Sequence, residues 1–190
     1  MGEIIDLNLI KSLENLKNKE LITKKLVQSS FYLFVYELVK KSIIDNIKSF
    51  YGVTDIVLKM TINKEELLAE YKKDVLSLDK DYFLAHIKWL KKMGGIDDRD
   101  YKKLYDLRMK RNEVAHDIDE IVFYDNLRID KDLLLESIRI FSKVEKWFVN
   151  NVVIPIHNAV EGDELEPSED ALSGPMVVLA FVIEAIKEYL

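Results

Sequence analysis

The grammar of helix starts constrains this chain more than any other feature. Asp97 stands as an N-cap with Asp100 at the third helical position, a weaker stand-in for Glu or Gln. Ile96 and Tyr101 bracket the pair as a hydrophobic staple. Asn63 repeats the arrangement with Glu66 and the pair Ile62/Leu67, and Asp130 repeats the staple with Ile129 and Leu134. The stops agree with the starts. Gly94 and Gly95 close one segment, Gly52 closes another, and Pro155 is expected to end the helix begun near Lys131. Pro175 is placed as the first residue of a last helix.

Apolar spacing follows the same period. Leu134, Phe141, Val144, Phe148 and Val152 recur at helical steps, as do Val39, Ile43, Ile47 and Phe50. Alternation suited to strands is scarce, and 119–129 is the stretch hardest to assign. The spacing predicts helices at about 6–18, 20–51, 64–76, 80–93, 98–117, 131–154 and 175–189. The expected fold is therefore all-α, a helical bundle of about six or seven helices in a single domain covering 1–190. An acidic loop at about 161–174 precedes the C-terminal helix.

Two segments, Phe31–Tyr36 and Met176–Ile183, are apolar nearly all round. A helix without a polar face must be covered on several sides, by the chain's own core or by a second copy. The longer run is far short of the ~20 residues that span a bilayer, and the first residues lack a signal-peptide pattern. Position 6 is Asp6, where a myristoylated Gly2 would want Ser or Thr. The expectation is a cytoplasmic protein with no membrane partner.

Composition removes several classes of chemistry. The 190 residues include no Cys and three His, which excludes disulfides, Cys-ligated metal and thiol catalysis and leaves little for an imidazole-based metal site. There is no phosphate-binding loop, dinucleotide fingerprint or serine elbow. Neither a cofactor nor a metal is expected. The net charge of −6 is concentrated: residues 161–170 carry six acids and no base, and the remaining 28 acids balance the 28 Lys and Arg. From Asp81 to His116 the balance reverses, nine cations to six acids. Lys88, Lys91, Lys92, Lys102, Lys103, Arg108, Lys110 and Arg111 belong to that stretch, which can track a phosphate backbone or form a mixed solvated face.

Within it lies Arg111-Asn112-x-x-x-His116. Asn112 and His116 fall ~40° apart on one helix face, which Arg108 extends, while Arg111 is ~140° from His116. One copy converges poorly on a straight helix. Two such helices facing across a two-fold axis bring both residue types around one cleft.

This segment resembles the signature of the HEPN superfamily, in which an Arg, often followed by a polar residue, precedes a His by a few positions. Arg111, Asn112 and His116 match those places, and Val114-Ala115 before the His also look right. The likeness covers about a dozen residues. It implies a HEPN-like bundle and a metal-independent endoribonuclease in which two subunits build the site. Such proteins often serve as toxins with an antitoxin or regulatory partner, or in phage defence. His116 would exchange protons with the ribose 2′-OH or the leaving 5′-oxygen, Arg111 would bind the scissile phosphate, and Asn112 would orient His116 or bond a phosphate oxygen. Arg108 and Lys110 would contact the RNA. Many members also use an acidic or polar residue on an early helix, and Glu37 is a candidate, as is its role as an ordinary salt-bridged Glu. Where members paired with a nucleotidyltransferase carry Tyr two residues past the His, this chain has Ile118. The alternative is a non-catalytic HEPN-type module binding a nucleotide or a protein. A structural helical protein in which the motif is accidental is the third reading.

The remaining His residues read as structural. His86 is expected to be packed or half-exposed on its helix, and His157 to sit in a helix exit after Pro155. His116-Asp117-x-Asp119-Glu120 lacks a second His at ligand spacing.

Overall fold

A computed structural model describes residues 13, 16–53, 64–124, 130–162, 164–170 and 172–190. Among them there is no strand, and helices follow one another as an all-α bundle. The first helix, α1, spans Lys19–Phe50, with Asn18 accepting a hydrogen bond from the Leu21 amide. Next come α2 (Lys64–Asp74), a single 3₁₀ turn at Leu76–Leu78, α3 (Tyr82–Lys92) and α4 (Asp98–His116). Then α5 (Ile118–Tyr124) and α6 (Lys131–Phe148) lead through a wide turn into α7 (Ile154–Glu161), and α8 (Gly174–Ile186) closes the order. None of these helices is long and apolar enough to cross a membrane. The helix expected at 6–18 lies largely outside the described residues, and the cap Asn63 and the staple residues Ile62 and Ile129 lie wholly outside them.

α1 is the central element because its wheel is apolar on most sides. Phe31, Tyr32, Val35, Tyr36, Val39, Ile43 and Ile47 are all buried, packed against α3, α4 and α6. Leu104 and Leu107 of α4, Ile87 and Leu90 of α3, and Ile140, Phe141 and Val144 of α6 complete the core.

Local chemistry sets the turn that leads into α4. Gly94 has φ +80°, and its amide bonds Lys91 O while that of Gly95 bonds Leu90 O, the paired bonds of a Schellman stop. At Gly95 a Cβ would crowd the side chains of Leu90 and Trp147, which would have to shift to admit one. Asp97 then caps α4 as expected. Its carboxylate accepts from the Asp100 amide at 2.8 Å, and Asp100 reaches back to the Asp97 amide at 3.4 Å.

Two expectations need correction. Pro155 does not end the helix. Val149–Val153 form a π turn in which the Ile154 amide reaches Val149 O, and the chain continues helical to Glu161. The wider turn accommodates a residue that has no N–H and whose ring crowds the carbonyl four back. His157 therefore lies within a helix and not in an exit. The second correction concerns Met176–Ile183, which is no central core helix: only Leu179 of α8 is buried, and Val177, Val178 and Phe181 are exposed.

The acidic loop is tied down at two points. Asn150 and Ser168 exchange side-chain to backbone bonds of 3.2 and 3.1 Å, and Asn158 does the same with Leu165 at 2.9 and 3.0 Å. It runs beside α7.

Candidate active site

Arg111 occupies an unexpected place on its helix. Leu104, Leu107 and Val114 form the buried face of α4, and Arg111, four residues after Leu107, falls among them. Where an aliphatic side chain would continue the seam with α1, a guanidinium stands instead. It lies over the Tyr36 ring, 5.4 Å from the centroid, and its Nη2 donates to Glu37 Oε1 at 2.9 Å. Nη1 donates to Asn112 Oδ1 at 3.4 Å, while Nε is buried and has no partner. The group is thus anchored on one edge and left with donor capacity. A third of its side chain stays exposed to solvent.

Glu37 also receives Lys40 at 3.5 Å, and Lys40 lies 5.6 Å from the Tyr36 ring centroid. Burial pushes the Tyr36 hydroxyl above the usual phenol range and Glu37 adds to that, while Arg108 and Arg111 pull the other way. Tyr36 is therefore a neutral phenol with two cations near its ring.

The outer face of α4 holds the rest of the motif. Asn112 is half-buried and His116, the last helical residue, is exposed. Among the described residues, His116 makes no hydrogen bond or ion pair, and none links it to Arg111. Asp117 then breaks the helix, accepting the Ile121 amide at 3.0 Å as α5 begins. In one copy the imidazole faces solvent while the guanidinium faces the α1 seam.

Arg108 is one turn before Asn112 and pairs with Asp81, the N-cap of α3. Lys110 pairs with Glu113 at 2.7 Å and lies ~120° round the helix from His116. The structure therefore brings Arg108, Arg111 and Asn112 to the α1–α3–α4 surface with Glu37. His116 lies one turn beyond, and Lys110 is on another face. Tyr36 and Asp81 were not singled out in the sequence as parts of this group. Tyr36 was hidden in an apolar run, and Asp81 looks like an ordinary helix cap. Of the nine cations between Asp81 and His116, Lys88, Lys91, Arg99, Arg108, Lys110 and Arg111 have acidic partners.

His86 has a different character. It is fully buried, its Nδ1 donating to Tyr82 O at 2.6 Å and its Nε2 accepting from the Tyr71 hydroxyl at 2.7 Å. The Tyr82 and Tyr71 hydroxyls are 2.9 Å apart. Burial holds the imidazole below its ordinary pKa, so it packs as a neutral link between α2 and α3. No group of three or more His, Asp or Glu converges to hold a metal ion among the described residues. An apolar hollow of about 170 Å³ lined by Phe31, Leu134, Leu135, Ile138, Ile183 and Leu190 is bordered by none of the motif residues.

Compared with protein-family models, with curated proteins and with solved structures, the chain has no match.

Proposed function

We propose that this chain is a metal-independent endoribonuclease of the HEPN type, acting as a toxin or phage-defence effector through a site shared by two copies. One observation carries the reading. A guanidinium held by Tyr36 and Glu37 stands at the α1–α4 seam with a third of its side chain still exposed, with Asn112 beside it and a solvent-facing imidazole one turn further.

In this scheme His116 takes the proton of a ribose 2′-OH as the 2′-oxygen attacks phosphorus. The phosphorus–O5′ bond breaks, and the leaving oxygen receives a proton from a second imidazole supplied by the other copy. Arg111 neutralises charge on the phosphoryl oxygens, and Asn112 orients the imidazole or bonds one of those oxygens. Arg108, and Lys110 from the adjoining face, hold flanking phosphates. The products are a 2′,3′-cyclic phosphate and a 5′-hydroxyl. The ~140° between Arg111 and His116 on one helix supports the need for a second copy.

RNA cleavage in the presence of EDTA tests the scheme, together with light scattering. Activity by a dimer that disappears in H116A and R111A is the expected result. Full activity in either variant, or a strict monomer that cleaves, defeats it. The pairing of Arg111 with Glu37 favours a second reading, a non-catalytic HEPN-type module for a nucleotide or a protein. That reading expects ligand affinity without turnover, unchanged in H116A.

A further inference from the structure

The groove between α3 and α4 holds more than the motif requires. Along α4, Tyr101, Tyr105, Arg108, Asn112 and His116 recur at intervals of three and four residues, which places them on one side of the helix over about 23 Å. Tyr105 and His116 are exposed, and Tyr101, Arg108 and Asn112 are half-buried. Across the groove, α3 supplies Lys88, Lys91 and Lys92. These three and Tyr101 line an open cleft of about 390 Å³. Lys91 lies 5.6 Å from the centroid of the Tyr101 ring.

The cleft lysines are not free of acids. Lys88 bonds Asp79 at 2.6 Å and Lys91 pairs with Asp98, whereas Lys92 has no acidic partner among the described residues. Asp98 is 87% exposed at its side chain, so a phosphate can displace it from Lys91 with little loss. At the other end Arg108 is held by Asp81. Aromatic faces interleaved with cations along a shallow groove are what a single strand uses, since every base offers a face to stack and every linkage a charge. A duplex would present phosphates but no free base to Tyr105.

We propose that the α3–α4 groove is a docking track for single-stranded RNA, stacking bases on Tyr105 and Tyr101 and drawing phosphates to Lys91 and Lys92. The track leads the strand toward Asn112 and His116. Its length suits on the order of four nucleotides, the lower end of single-strand site sizes. The identity of the nucleic acid rests on the ribonuclease reading, but the track is tested by binding alone.

The probe is a fluorescently labelled oligouridine, fully 2′-O-methylated so that it cannot be cleaved, titrated with the full chain and read by anisotropy. The double variant K91E/K92E weakens binding by about 10-fold or more and makes the slope of log affinity against log salt shallower by about 1.4. Tyr105→Ala weakens it about 5- to 10-fold, while Tyr105→Phe retains affinity because the stacking face remains. Lys72→Glu, exposed on α2 and away from the groove, is a control expected to change nothing. Unchanged affinity in both K91E/K92E and Tyr105→Ala overturns the track, as does failure of the native chain to bind or equal affinity for a duplex. If the native chain cleaves RNA but the track variants bind normally, the track fails and the nuclease stands. If binding follows the track but no RNA is cut, the reverse holds.

Discussion

The two ends of α4 each carry an ion pair to a neighbouring helix, and the pairs differ in completeness. At the N-terminal end Asp100 is 1% exposed and receives Arg139 at 2.7 Å and Lys143 at 2.5 Å, both from α6. Burial pushes its carboxyl up, but the hydrogen bonds from Lys143 and Arg139 and from the capping box prevail, and it lies below the usual carboxylate range. At the C-terminal end Arg111 meets one carboxylate, Glu37, whose side chain is 48% exposed, and its Nε has no partner. The first is a saturated clamp that serves the fold. The second is a partly exposed pair at the seam between α1 and α4, open to solvent on one side.

The sharpest way to break this contrast is by activity. Replacing His116 or Arg111 with Ala lowers RNA cleavage by about 10³-fold or more, read as cyclic-phosphate product on a gel. H116A leaves the melting temperature nearly unchanged, since the imidazole is exposed. At the other end the effect falls on stability. The double variant R139A/K143A leaves Asp100 buried and without its cations and costs about 3 kcal/mol in urea unfolding. An unfolding curve superimposable on the native one would show that Asp100 is no clamp.

The entry turn is a smaller test of the same end. Gly94→Ala, at φ +80°, is expected to destabilise by about 1 kcal/mol. The pH dependence adds a direction. His86 titrates below its ordinary 6.5 in the fold, so the unfolded chain binds the extra proton first. Stability is full above 6.5 and falls as pH drops through and below it, and the variant His86→Gln loses that slope. For Asp100, held below 3.8, the contribution is present above that value and disappears on further acidification toward the folded pKa. Urea midpoints across this range check both. Least affected is Glu37→Gln, expected within about 0.5 kcal/mol of the native chain because its pair with Arg111 is solvent-screened. A loss as large as that of R139A/K143A would erase the distinction between the two ends.

How much of this could be read in advance depends on the reach of each interaction. The cap at Asp97 and the stops at Gly52 and Gly94 were legible because every bond involved lies within a few residues. The two apolar runs looked alike in sequence, yet Phe31–Tyr36 is enclosed while Val178 and Phe181 remain exposed. Hydrophobicity states that a helix should be covered and does not state by what. Pro155 misled because a π turn is set by the packing of the helix around it, and a proline signals only that the ordinary bond is missing. The Arg111-Asn112-x-x-x-His116 spacing was visible from the start. That Arg111 faces inward was not, since a charged residue interrupts the apolar pattern by which a core face is recognised.

The amino-acid order by itself determined where helices start and stop and that they form an all-α bundle, because capping, staples and apolar periodicity act over three to seven residues. Tertiary structure decided that Glu37, 74 positions away, is the carboxylate that Arg111 meets, and that His86 finds Tyr71 on another helix. Such pairings depend on the rotation and separation of packed helices. Those follow from how all the side chains of the core fill space together, and no local pattern contains them.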